Sequence, residues 1–566
     1  MLYPFNKRGF KKLAILYIVA VAPLFLDALP AYGLHSACSI EPYRVSNAPV
    51  IASIEIVRLD PFGTSIGDPE LTASRATERF LNTTHINTAE GVIRSYLLFA
   101  VGDTLSDRTI RDSERILRRV PFLHDALIEI SVNNDNKAHV TVITRDNYSM
   151  GADYRQTEEG EAEIYLFEKN VGGLGQEIGI GVTTNFIKGE RPEIRAGYLI
   201  NNIGGTLSDL ELFAHFTGVG RRHGFNLYRD FAGIDSEYAG SVSLFETIST
   251  ATLSPGDDPE PLEYSYQDYW LARSFLVDRE RSLRVILGMR YIHNNVYKRP
   301  DIDPQTFYSM QKHKLFLTSL SFSKQDFFKS NYIFNYGRTE DIPFGMLLSL
   351  TGGWEENEFK ERYYSGISLS AGGSLNGRGY LNLSASAGAF INQGSTEQGV
   401  LEVTSRYFTD LVAAGNWRIR TFAGLSYTRG FNRYSDEHLT AGTGDMVTGF
   451  RNDSLSGSHR AVINLESVFF SPLSLYGFET TLFAFSDIAI LGRTGFVPVR
   501  GSPVGVIGAG IRLHNESLAI NTFQIRFGYY PSIPDHSSVN RLSVSGEKLL
   551  NPRNFDPGAP DIIVYR

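Results

Sequence analysis

The chain has 566 residues, with 54 Lys and Arg against 62 Asp and Glu and a formal net charge of −8. That balance argues against a nucleic-acid binder, which normally carries a basic footprint. The single cysteine, Cys38, excludes an internal disulfide and a cysteine metal cluster.

The N-terminus reads as a signal peptide over residues 1–33. Lys7, Arg8, Lys11 and Lys12 form a basic region, residues 13–26 an apolar one, and Ala31-Tyr32-Gly33 a small-x-small cleavage site. Pro23 and Asp27 interrupt the apolar run, which argues against an uncleaved anchor. Loss of this leader, with its four basic residues and one acid, leaves a net −11. Residues 34–49 read as a linker. Cys38 follows Leu34-His35-Ser36-Ala37, a poor lipidation signal, so an incidental thiol is expected.

Residues 50–146 read as a small α+β domain. Residues 50–58 alternate, with Ala52, Ile54 and Ile56 on one face of a strand. Residues 60–84, rich in Pro, Gly, Asp and Thr, read as an inserted loop. Asn87 with Glu90 predicts a capping box, and Val92, Ile93, Tyr96 and Leu97 an apolar helix stripe. Gly102-Asp103 breaks the chain, and Ser106 caps a second helix that buries Ile110, Ser113, Leu117 and Val120 before Pro121. Ala126, Ile128, Ile130 and Val132 mark the next strand face, and Ala138, Val140 and Val142 the last. The four residues 133–136 (Asn-Asn-Asp-Asn) form the turn between them.

After the leader, no segment reaches the roughly 18 apolar residues of a spanning helix, so any membrane crossing must use a closed barrel. Residues 147–566 alternate with period two. Leu381, Leu383, Ala385, Ala387 and Ala389 alternate with Asn382, Ser384, Ser386 and Gly388. From Trp417 to Tyr427 apolar residues again alternate with polar or small ones, the pattern of a strand between lipid and a wet lumen. An aromatic content of 12% and 53 glycines suit aromatic girdles and bent strands. The expected fold is an all-β transmembrane barrel, antiparallel, of about 16–20 strands. Long polar connections at 254–263, 299–306 and 432–446 read as extracellular loops, and Ser471-Pro472-Leu473 as a periplasmic turn.

The order strand–helix–helix–strand–strand resembles a POTRA domain. Gly102-Asp103, the helix end at residues 117–122 and the strand at 126–130 carry the match. The remainder resembles the BamA/TamA-type outer-membrane assembly superfamily. Residues 168–176 (EKNVGGLGQ) are similar to its first turn, residues 337–341 (GRTED) to a segment of its single-POTRA branch, and Phe485-Ser486-Asp487-Ile488-Ala489 to its F-x-D-x-G strand, with Ala489 in place of Gly. Val447, Thr448, Gly449, Phe450 and Arg451, with the following Glu466, are similar to its lumenal loop and the strand after it. The resemblance implies that this loop folds into the barrel against Glu466, Phe485 and Asp487. Where the family has a lumenal Arg, this chain has Thr448. A buried carboxylate without a cation is costly, so Arg451 is expected to reach Asp487.

Proline cannot donate to a sheet ladder. With Pro552, Pro557 and Pro560 near the end, the closing strand begins either after Pro560 or earlier, around residues 541–545, and the seam is short either way. Gly63-Thr64-Ser65-Ile66-Gly67 matches a nucleophile elbow but lies in a polar insertion, not a strand–turn–helix. No catalytic constellation, metal site or cofactor is expected, and the chain is read as not an enzyme. The expected function is to help client proteins insert into or cross the outer membrane of a Gram-negative-type bacterium without nucleotide. The partners are outer-membrane lipid and unfolded or periplasmic client proteins, held by the POTRA-like domain in the periplasm, with no nucleic acid. The alternative is a passive or structural pore barrel with a docking domain. A two-partner secretion transporter fits less well, for want of room for a second POTRA and a plug helix.

Overall fold

The computed structural model describes residues 48–565 apart from 159–160, 187–188, 190, 255, 334–335, 442–445, 453–454, 476, 493–502, 519–521 and 547–553. The leader, Cys38 and nearly all of the 34–49 linker lie outside the described residues.

The first domain contains β1 (Val50–Leu59), α1 (Ala76–Thr84), α2 (Glu90–Ser95), α3 (Asp107–Arg119), β2 (Leu123–Val132) and β3 (Lys137–Asp146). β3 lies in the middle, parallel to β1 and antiparallel to β2. A parallel pair needs a long crossover, and the three helices with β2 supply it. Ala138, Val140 and Val142 on β3 are buried, as are Ile93, Tyr96, Ile110, Leu117 and Val120 on the helical layer. Each Val, Ile or Leu among them removed from water contributes about 1.5–3 kcal/mol. Ser106 caps α3 as expected, accepting from the Thr109 N–H.

Three local readings change. The expected loop at 60–84 contains α1, started by a reciprocal pairing of Arg75 and Glu78. The expected capping box at Asn87 is absent. Ala89 is the N-cap of α2 with no side-chain cap, and the Asn87 Nδ2 instead donates to Asp60 Oδ1 at 2.9 Å. On β2 the buried face stops at Ile128, and Ile130 and Val132 are exposed because the strand outruns the helices that cover it.

From Met150 to Gly546 the chain forms one large antiparallel sheet in which successive strands pair, and the strand order brings Leu542–Gly546 back beside Met150–Glu158. Among the described residues it has twenty strands, at the upper end of the expected range. Val412–Ala414 is counted as a continuation of Ser395–Phe408, since both pair with Trp417–Phe431. The alternation holds. Asn382, Ser384 and Ser386 are buried while Leu383 is exposed, and Arg420, Phe422 and Thr428 are buried while Leu425 is exposed. The outer face carries exposed Leu271, Leu287, Met289, Ile463, Ile507 and Phe527. No helix among the described residues is long and apolar enough to cross a membrane, which leaves open crossing by strands.

Two expectations about the barrel change or resolve. Ser471-Pro472-Leu473 is not a turn but lies inside the strand His459–Leu475. The register with Phe478–Gly492 shifts between Phe470 and Ser474. A bulge leaves residues unpaired, so a proline is tolerated there. The closing strand is the earlier candidate, the five residues Leu542–Gly546. Among the described residues after Pro560, 561–565, there is no strand. The segment 554–565 packs against inward-facing residues of the sheet, with Phe555 fully buried.

Candidate functional site

Consecutive antiparallel strands put alternate connections at opposite ends of the barrel. The connections at 201–208 and 331–339 lie at the end that meets the small domain. The described part of the connection 432–458 lies at the other end, and residues 446–451 fold back inside. Val447 and Phe450 are buried among Val462, Phe485, Ala489 and Val506 from the wall. Phe450–Arg451 pairs with Ser538–Val539, a short strand of another connection at that end. Gly449 has φ +71°, a conformation that glycine adopts without strain. A Cβ there would lie 2.4 Å from the Tyr530 hydroxyl.

Asp487 is the wall's hold on this loop. Its Oδ2 accepts the Thr448 N–H at 3.1 Å, and its Oδ1 accepts Asn464 Nδ2 at 2.8 Å. The same Asn464 amide reaches the Met446 carbonyl at 3.1 Å. Tyr530 donates to the Thr448 carbonyl at 2.9 Å, and the Asn540 N–H donates to the Gly449 carbonyl at 2.8 Å. Thr448 thus contributes its backbone to these contacts. The side chain of Arg451 lies outside the described residues, and with it the expected Arg451–Asp487 contact.

Phe485 and Asp487 lie against the loop, whereas Glu466 turns to another partner. It forms a fork with Arg512 at 2.9 Å on both oxygens, and the Arg512 guanidinium lies 4.0 Å from the Phe483 ring centre. Inward-facing positions on three adjacent strands explain this: Glu466 stands opposite Phe485, and Arg512 opposite Thr481.

The two other quoted segments dock the small domain. In the first turn the Gly173 carbonyl accepts the Ala89 N–H at 2.8 Å. Asn170 Nδ2 donates to Thr88 Oγ1 at 3.0 Å. A Cβ on Gly173 would lie 2.7 Å from the Asn87 carbonyl, and one on Gly175 2.8 Å from the Phe122 ring. In residues 337–341, Asp341 grips Arg118 of α3 by a fork of 2.9 and 2.7 Å. Arg338 donates to the Arg118 carbonyl. Glu114 pairs with Lys329 at 2.9 Å and with Arg118 at 3.0 Å. Burial by itself lowers the Arg118 pKa, but the fork to Asp341, with Glu114 and Asp125 near, raises it overall. At the tether, Asp146 accepts the Thr88 N–H at 2.7 Å, the Thr88 hydroxyl at 2.8 Å and His85 Nε2 at 3.0 Å. Asn147 Nδ2 reaches the Pro121 and Leu123 carbonyls. Sequence reasoning named these segments by resemblance but missed their partners, because Arg118 and Asp341 are 223 positions apart.

No protein-family model matches the chain, and no curated protein matches it. Solved structures similar to it include BamA from Haemophilus ducreyi lacking POTRA domains 1–3, at 12% identity and TM-score 0.35. That match covers 87% of this chain and 84% of that one. CdiB from Escherichia coli is similar at 11% identity and TM-score 0.40, covering 96% of this chain and 98% of that one. CdiB from Acinetobacter baumannii is similar at 12% identity and TM-score 0.36, covering 96% and 99%. Values this low carry no functional inference, and the fold described above rests on the strand register itself.

Proposed function

We propose that this chain is an outer-membrane barrel that helps client proteins insert into or cross the membrane, with its POTRA-like domain facing the periplasm. The observation that carries the reading is the combination of an apolar outer wall with an inner wall that is polar and occupied. Exposed Leu, Ile, Met and Phe on alternate positions give a surface suited to lipid. Inside, the loop at 446–451 and the segment 554–565 fill space that a passive pore would leave to water. A filled lumen favours client handling over free diffusion of solutes. The reading assigns no catalytic role and no nucleotide. Energy comes from the client's own folding and burial.

The short closing strand fits this role. Leu542–Gly546 offers five residues beside Met150–Glu158, where neighbouring pairs elsewhere run to eighteen. Fewer ladder bonds make this the place for the wall to part toward lipid. Hydrogen exchange is expected to be faster at 542–546 than in the strand His313–Ser330, and equal protection would argue against an opening seam.

Depletion tests the function. Loss of particular outer-membrane or surface proteins from the envelope, with solute permeability unchanged, is the expected result. Unchanged protein content with altered permeability would return the chain to the class of pores.

A further inference from the structure

The C-terminal segment 554–565 makes its contacts with the inner wall through side chains on several different strands. Near the small-domain end, Ser323 Oγ donates to the Phe555 carbonyl at 2.6 Å, and Gln325 takes the Phe555 N–H. Arg284 pairs with Asp556, whose other oxygen accepts Gln325 Nε2 at 2.8 Å. Further along, Arg290 donates to the Pro560 carbonyl at 3.1 Å and pairs with Asp561 at 3.0 Å. Arg290 is itself held by Asp268 through a fork of 2.8 and 2.7 Å. The Tyr364 hydroxyl accepts the Ile563 N–H at 2.7 Å, and Ile562 packs against Ile292, Leu315 and Phe390. Tyr565 ends the run, donating to the Ser458 carbonyl at 3.1 Å beneath Arg433, 4.5 Å from its ring centre.

Glycines in the wall leave room for this segment and, at Gly372 and Gly388, also for the nearer Tyr380 and Tyr364 hydroxyls. A Cβ would lie 2.9 Å from Pro560 at Gly288, 2.8 Å from Phe555 at Gly372, 3.0 Å from Ile563 at Gly388 and 2.6 Å from Tyr565 at Gly430. Four strands each place a glycine where the segment passes. Its contacts run from Ser323 and Gln325 near the small-domain end to the Ser458 carbonyl, beside the start of the strand His459–Leu475 at the far end. The segment therefore passes from the small-domain end of the barrel to its far end.

We propose that the inner wall carries a binding track for an extended acidic polypeptide, which the chain's own residues 554–565 occupy in cis as a displaceable plug. The track reads main-chain groups through Ser323, Gln325, Arg290 and Tyr364, and reads two carboxylates five positions apart through Arg284 and Arg290. An aromatic residue before the first acid and aliphatic residues after the second fill apolar ground. The proposal rests on the client-handling reading, for which a client segment displaces the plug.

The test uses the full chain and a variant lacking residues 554–566, both folded in detergent, with a fluorescent peptide of sequence 554–566 as probe. Saturable binding to the truncated chain but not to the intact one is expected. A peptide carrying Asp556→Asn and Asp561→Asn should bind at least about tenfold more weakly. No saturable binding, equal binding of the two peptides, or equal binding to the intact chain would overturn the proposal. If the truncated chain fails to fold, the intact chain with the same two substitutions serves. Its residues 554–565 should exchange amide hydrogens faster and admit the unmodified peptide, and unchanged exchange would count against the track. Depletion reads client dependence while peptide binding reads the track, so the two proposals fail separately.

Discussion

Arg118 on α3 and Asp341 on the barrel wall face each other in a two-pronged ion pair of 2.9 and 2.7 Å, with the Arg118 side chain 3% exposed. This pair joins the small domain to the segment at 337–341. Removing one partner of a buried pair leaves the other charge without compensation, at about 3–5 kcal/mol. Asp341→Asn and Arg118→Ala are each expected to loosen the small domain, read as faster proteolysis within residues 50–146, while the barrel keeps its resistance to unfolding in detergent. Pairing both substitutions should cost less than the sum of the two. Strict additivity would show that the pair does not couple the domains.

The first turn makes a graded prediction. Gly172 and Gly173 both have positive φ, 61° and 76°. A Cβ at Gly172 meets nothing within 4 Å, whereas one at Gly173 strikes the Asn87 carbonyl at 2.7 Å. Gly172→Ala should cost only the left-handed backbone strain of about 1–2 kcal/mol. Gly173→Ala adds a backbone clash and should displace the small domain. Equal proteolytic sensitivity of the two variants would remove the docking role of this turn.

Asp487 holds the lumenal loop through the Thr448 N–H and Asn464. Asp487→Ala leaves that N–H without its acceptor, at about 1–3 kcal/mol. Hydrogen exchange at 446–451 should rise with the rest of the barrel unchanged. Asp487→Asn keeps one acceptor oxygen and should have a smaller effect. Equal exchange in the wild type and Asp487→Ala would show that the loop is held by its apolar packing and its bonds to Tyr530 and Asn540 without Asp487.

His124 predicts a pH dependence. Its imidazole is buried at the junction, 3.7 Å from Glu516, and its pKa falls well below the ordinary 6.5. Burial is the first cause, followed by the nearby Arg145, Arg338 and His514, with Glu516 opposing. Unfolded chains take up a proton near 6.5 while the folded chain holds the ring neutral. Stability from this group is therefore full above that value and declines as pH falls below it, at up to about 1.4 kcal/mol per pH unit. Thermal unfolding of the small domain between pH 7 and 5 should show this slope, and His124→Gln should flatten it. An unchanged slope in the variant would assign the dependence to other groups.

The alternation that makes the large sheet is legible in the residues alone. Period-two alternation at residues 381–389 and 417–427 dictates which side chains face outward, because a one-residue slip would invert every one of them. Ser106, the stripe on α3 and the apolar face of β3 are equally local, and their capping and periodicity are written within a few residues. Local rules erred where a polar stretch held a short helix, at α1, and where a proline was absorbed by a bulge, at Pro472. The tertiary structure alone decided the pairings between distant positions: Arg118 with Asp341, Glu466 with Arg512, Asp487 with the Thr448 backbone, and the C-terminal residues with the inner wall. No periodicity encodes these, since each depends on how the large sheet curves and which inward positions it brings together. The terminal prolines barred a strand, and only the closed ring revealed the lumen as the place where that segment could bury Phe555 and pair Asp556 and Asp561.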